Sequence, residues 1–176
     1  MKFRQILAAV FVSLCATPLA AQTFQISHSA ASGNPKDVAS LKFAELVKER
    51  TGGRITVNVG TSSQFGDDAE SVTNIRLGTI AFSANAQGAT SGAVPEISLL
   101  GLPFLFQSLD QAETVMDGPV GDKIATAAEA QGILILSWWN NGIRETSNSK
   151  KPIVVPGDLA GMKIRTPPDP MTIDIF

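Results

Sequence analysis

Few residues in this chain could do chemistry, and the most informative is one arginine. In GMKIRTPPDP, residues 161–170, Arg165 stands in a short apolar run with Met162 and Ile164 that stops at two prolines. A cation there must meet solvent, an acid or a ligand, because burying it unpaired costs several kcal/mol even after relaxation. A guanidinium can grip a carboxylate through two parallel hydrogen bonds, a geometry that lysine does not reproduce. Spacing alone leaves two readings open for Arg165: a ligand clamp, or an ion pair with a structural acid such as Asp158. Arg144 is the second arginine beside a strand-like run, just after Trp138, Trp139 and Asn141, whereas Arg54 and Arg76 fall on turn and helix surfaces.

The rest of the catalytic inventory is thin. His28 is the only histidine, Cys15 the only cysteine, and no G-x-S-x-G serine elbow occurs. Asp67, Asp68 and Glu70 cluster, but acids at this spacing suit the positive end of a helix better than a metal. No metal, no cofactor and no enzymatic constellation are therefore expected. The enzyme alternative is an exported α/β hydrolase using His28 as base, and it needs a nucleophile or metal beside that histidine.

The chain opens MKFRQILAAVFVSLCATPLAAQ, with Lys2 and Arg4 ahead of an apolar run and then small residues. That is the pattern of a signal peptide over residues 1–21, cleaved after Ala20 or Ala21. Its apolar run is shorter than the roughly 20 residues that span a bilayer, so export without membrane insertion is expected. Leu14 before Cys15 does not suit lipid attachment, and removing Cys15 with the leader leaves no thiol for a disulfide. Loss of Lys2 and Arg4 leaves 12 basic residues against 16 acidic ones, a net charge of −4. An acidic surface offers nothing to nucleic acid or anionic lipid, so an anion would need a local site.

The elements that must position these residues alternate. TFQIS reads as a strand; Asn34 and Pro35 then open a helix, with Val38, Leu41, Ala44 and Val47 as its apolar positions, which stops at Thr51-Gly52-Gly53. RITVNV alternates as a half-buried strand, AESVTNIRLG follows as a helix, and IAFSA (80–84) is a third strand. This order predicts an α/β fold with a mostly parallel sheet. Ser108 and Gln111 have capping-box spacing, and Pro119 starts a helix ending near Gly132. ILILSWW (133–139), apolar throughout, predicts a central parallel strand. MTIDIF begins an apolar segment that stops on its own apolar residues, so a second domain is expected to have been started and not finished.

In open parallel sheets ligands sit beyond the carboxyl ends of the strands. The loops expected there are HSAASGN (28–34), GTSSQFGDD (60–68), NAQGATSGA (85–93) and WNNG (139–142), all rich in groups that hydrogen-bond small polar ligands.

Taken together, TGGRITVNV, SSQFGDDAESVTNIRLGTIAF, LPFLF, WWNNGIRETSNSKKPI and DLAGMKIRTPP resemble the DctP family, the periplasmic solute receptors of tripartite ATP-independent periplasmic (TRAP) transporters. The resemblance runs through nearly all of the chain after the leader. It implies a periplasmic binding protein-like Venus flytrap, closing two lobes on an organic acid and delivering it to TRAP permease membrane subunits. It implies an N-terminal lobe over 22–144, then a hinge strand and the incomplete start of a second lobe over 145–176. It assigns Arg165 to the ligand carboxylate and Arg144 to a second contact, with Asp68, Ser29, Asn85 and Gln87 lining the cleft. A C4-dicarboxylate is the first choice of ligand, and a sensor kinase or chemoreceptor is the alternative partner. Family members run to about twice this length, so the sequence is expected to be a fragment or a truncated product.

Overall fold

The computed structural model describes residues 21–176, so the expected leader lies, except for Ala21, outside the described residues. Three strands, β1 (Gln22–Ser27), β2 (Ile55–Gly60) and β3 (Phe82–Ser83), form a parallel sheet in the order β2-β1-β3. The register pairs Phe24 with Val57, and Ile26 with both Val59 and Phe82. The third strand is shorter than the five residues expected, although Ala81 and Ala84 still donate their N–H groups to Gln25 and Ser27 of β1.

Helix α1 (Pro35–Arg50) begins as its sequence predicts, the Asn34 side chain accepting the Lys36 N–H at 3.0 Å with Pro35 at the first position. Its inner face differs from the expected one. Asp37 and Ser40 are buried, while Val38 and Leu41 are exposed. The reason is geometric: successive steps of three residues fall about 60° short of a turn each, so Val38, Leu41, Ala44 and Val47 drift across the helix surface.

Helix α2 (Asp68–Leu77) follows β2, starting from a reciprocal box in which Asp67 accepts the Glu70 N–H and Glu70 accepts the Asp67 N–H. It ends at Gly78, whose φ of 73° is the left-handed cap conformation. Beyond β3 come the short helix α3 (Gln87–Thr90), a 3-10 helix (Pro95–Gly101), α4 (Leu109–Met116) and α5 (Pro119–Ala130). Ser108 accepts the Gln111 N–H, but Gln111 reaches back to the Gln107 N–H rather than to that of Ser108. The main core joins Val72, Val94, Ile97, Met116, Ile124, Ala128 and Ile133.

The central strand expected over 133–139 is absent among the described residues. The segment has no ladder partner on either side, and its side chains alternate: Ile133 is 8% exposed and packs in the core, whereas Leu134 and Leu136 are 69% and 64% exposed. An apolar run becomes a central strand only when neighbours pair both its edges, and no described segment supplies them. The hinge strand expected after residue 144 is likewise unpaired. That stretch holds a 3-10 turn (Pro156–Leu159), a run without regular secondary structure over 162–166 and helix α6 (Pro170–Ile175).

Candidate functional site

The carboxyl ends of β1 and β3 and the start of α2 meet at one edge of the sheet. The Ser29 N–H donates to Asp68 Oδ1 at 3.1 Å, and Asn85 Nδ2 donates to the Asp68 carbonyl at 3.1 Å. Asn85 Oδ1 is in turn paired with the Ser83 hydroxyl. Three of the residues assigned by resemblance, Ser29, Asp68 and Asn85, are thus joined in one polar rim. The edge is fixed from beneath, where the buried Ser71 hydroxyl bonds Ser27 at 2.9 Å and Ser27 donates to the Gly66 carbonyl. The loop after β2 is laced to the loop after β1 by Ser62 N–H to the Ala30 carbonyl and Ser63 N–H to the His28 carbonyl. Both serines sit at positive φ, 52° and 62°. Backbone held in that sparsely populated region persists only where its surroundings enforce it, and such places gather at binding loops.

The acids of this edge act as backbone partners. Asp67 closes the α2 capping box, Asp68 holds the Ser29 loop, and no cluster of metal-ligating side chains occurs among the described residues. His28 has no surface exposure, and its Nε2 lies 3.4 Å from Asp37 Oδ1. A base must reach the proton it removes, so a histidine sealed beneath the sheet edge cannot serve the hydrolase reading.

Arg144 and Arg165 are both exposed and lie outside helices and strands, and neither enters an ion pair among the described residues. The alternative partner for Arg165, Asp158, enters no ion pair among the described residues; its Oδ2 accepts the Val154 and Val155 N–H groups at 2.9 and 3.0 Å. Those two bonds, against a small opposing effect of burial, hold the Asp158 carboxyl below its usual pKa. Arg144 lies in a fully exposed stretch, and no hydrogen bond joins it to Ser29, Asp68 or Asn85 among the described residues.

Gln87, also assigned to the cleft, donates its Nε2 to Asp169 Oδ2 at 3.4 Å. Asp169 was not singled out from sequence, yet it is wholly buried and accepts from Ser91, Ser98 and Thr172 besides. Burial alone would raise its pKa; hydrogen bonds from Thr172 and Ser91, then the Thr172 N–H and Ser98, outweigh that and lower it. The signal that could have found it is Asp169-Pro170, the same cap-then-proline pattern as Asn34-Pro35.

Comparison with known proteins agrees with this architecture. Residues 26–176 match the profile of DctP, the bacterial extracellular solute-binding proteins of family 7. The 2,3-diketo-L-gulonate-binding periplasmic protein YiaO of Escherichia coli K12 is 33% identical over 100% of this chain and 55% of its own length. Two solved TRAP periplasmic solute-binding proteins superpose well. The one from a Sulfitobacter strain, with bound β-D-galacturonate, is 32% identical with a TM-score of 0.78, over 80% of this chain and 47% of that one. The one from Sulfurospirillum deleyianum, with bound succinate, is 32% identical with a TM-score of 0.81, over 86% and 49%. The chain spans about half the length of each of these three relatives. These relatives are solute-binding proteins, and the fold is the part of a Venus-flytrap receptor that this chain shares with them. By the match over residues 26–176, this chain belongs to the DctP family of bacterial extracellular solute-binding proteins.

Proposed function

We propose that this chain supplies the carboxylate-recognising part of a two-lobed periplasmic receptor that captures an organic acid and presents it to the membrane subunits of a TRAP transporter. The observation that carries this reading is Arg165, an exposed guanidinium without an acidic partner among the described residues, while Asp158 turns one oxygen to the backbone and pairs with no cation there. A carboxylate entering between the lobes takes both prongs of the guanidinium, and closure strengthens the pair by lowering the local dielectric. The rim of Ser29, Asp68 and Asn85 faces the remainder of the ligand in this reading.

That rim favours a hydroxylated acid. Asp68 is negative and Asn85 and Ser29 carry acceptor oxygens, so sugar hydroxyls find partners there whereas a second carboxylate meets like charge. The family members binding diketogulonate and galacturonate support a sugar acid. The C4-dicarboxylate reading keeps one specific support, the exposed Arg144 as a second cation, together with the succinate-bound relative.

The test is calorimetric titration of the intact exported protein with D-galacturonate and with succinate. The uronate binds more tightly, and Arg165→Lys weakens it by about tenfold or more because the two-pronged geometry is lost. Equal affinity of the lysine variant removes Arg165 from the site, and tighter binding of succinate selects the dicarboxylate reading.

A further inference from the structure

The expected division of the chain at residues 144 and 145 is crossed by few polar ties. Among the described residues, the hydrogen bonds that join residues 22–144 to residues 145–176 all end on one carboxylate. Ser91 donates to Asp169 Oδ1 at 2.9 Å, Ser98 donates to the same oxygen at 3.3 Å, and Gln87 donates to Oδ2 at 3.4 Å. On its own side of the division Asp169 caps α6, taking the Thr172 hydroxyl at 2.7 Å and the Thr172 N–H at 3.3 Å. The carboxylate is fully buried, and all of its partners are neutral. A charge taken from water into such a place is tolerated only when hydrogen bonds satisfy its lone pairs.

The surroundings are shaped for that approach. A Cβ on Gly88 would lie 3.1 Å from the Asp169 Cβ and 3.2 Å from that of Pro167, and one on Gly101 would meet the Gln87 side-chain amide. Two glycines thus let the α3 and 3-10 backbones close around the carboxylate. Arg165 is four residues upstream, and Pro167 and Pro168 restrict the chain between them. Asn85 lies two residues before Gln87, so the wall holding one end of the tie is also the wall of the polar rim.

We propose that Asp169 is a positioning residue, the latch that fixes the Arg165-bearing segment to the wall carrying Asn85 and Gln87 and so sets where the guanidinium meets its ligand. The claim about the latch stands on the hydrogen bonds alone; the claim about Arg165 rests on the proposed carboxylate site. Asp169→Asn keeps the size but removes the charge and leaves one acceptor oxygen where two now take five hydrogen bonds. Gly88→Val leaves the carboxylate intact and wedges the same contact apart.

Two measurements on the intact exported protein decide the matter. In amide hydrogen exchange, both variants speed exchange across residues 163–176 by about tenfold or more, while the β1 and β2 amides keep their protection. Unchanged exchange in 163–176 overturns the latch, and loss of protection throughout the sheet makes Asp169 an ordinary core residue and overturns its positioning role. In titration with D-galacturonate, Asp169→Asn weakens binding by about tenfold when residue 165 is arginine and by less than about twofold in the Arg165→Lys background. Equal losses in both backgrounds overturn action through Arg165. Failure of the unsubstituted protein to bind either D-galacturonate or succinate overturns the carboxylate site and, with it, the role for Arg165, while the exchange result still decides the latch.

Discussion

Residues 22–132 and residues 133–176 are held by different means. In the first region a parallel ladder, capped helices and a shared apolar core specify each element more than once. In the second, Ile133, Ile135 and Trp138 still pack against that core and Asn140 donates to Glu113. The chain from Leu134 to Pro168 nevertheless forms no ladder and exposes Leu134, Leu136, Ile143, Val154 and Val155; beyond residue 144 it returns to the first region by hydrogen bonds only through Asp169, among the described residues. The first region therefore builds a rim held by several supports, while the second carries Arg144 and Arg165 on sparsely tied chain, with Asp169 as the polar anchor on the Arg165 side. Redundant support makes a wall, and sparse support makes a part that can be set by what it contacts.

The sharpest way to test that contrast is a methyl group placed once in each region. A Cβ at Gly121, where α4 turns into α5, would overlap the Met116 carbonyl oxygen and stand 2.7 Å from its carbon. Backbone must move to admit it, so Gly121→Ala costs about 3 kcal/mol or more. For a chain of this size that lowers Tm by on the order of 10 °C. Gly157 has nothing within 4 Å of the same position, and Gly157→Ala leaves Tm unchanged or slightly raised. Similar losses at both sites in calorimetric melts would show that the second region is packed as tightly as the first.

The same contrast explains what could be read from the sequence. The βαβαβ order and the helix starts at Asn34-Pro35, Asp67, Ser108 and Pro119 are local signals, written in residues that satisfy their own neighbours' N–H groups or accept a fixed φ. Ser29, Asp68 and Asn85 meet because parallel topology brings those loops to one edge, which pattern and family resemblance both anticipate. The misreadings are non-local. Whether 133–139 is a central strand depends on partners far along the chain, and apolar composition does not say whether they are present. The α1 face failed because Asp37 faces inward against His28, a pairing invisible to a hydrophobic periodicity. Asp169 was missed because its value lies in Ser91 and Ser98, more than 70 residues away in the chain.

A smaller effect follows from the charge on that anchor. The folded-state pKa of Asp169 is below its ordinary 3.8, so near and below that value the unfolded chain binds more protons than the folded one. The stabilisation is complete above the ordinary value and is lost as pH falls through the folded-state value. Denaturant melts of the parent protein and of Asp169→Asn therefore differ most at about pH 6, and the difference shrinks steadily toward about pH 2. A gap that stays constant across that range would mean that the carboxylate's charge contributes nothing to the anchor.

The smallest effect compares two acids that do the same job in the two regions. Asp67 accepts the Glu70 N–H at 2.8 Å and opens the ten-residue helix α2, whose buried Val72 belongs to the main core. Asp158 accepts two N–H groups just as closely, but in an exposed 3-10 turn with no buried residues. Asp67→Ala costs about 1 kcal/mol, the usual loss for an N-cap, and lowers Tm by about 2 to 4 °C. Asp158→Ala frays its turn and leaves the global Tm where it was, because nothing in the core depends on that turn. The two bonds are alike in length and chemistry, so a shared loss would mean that the second region folds as one cooperative unit with the first, whereas the expected split shows that a cap is worth what its helix carries.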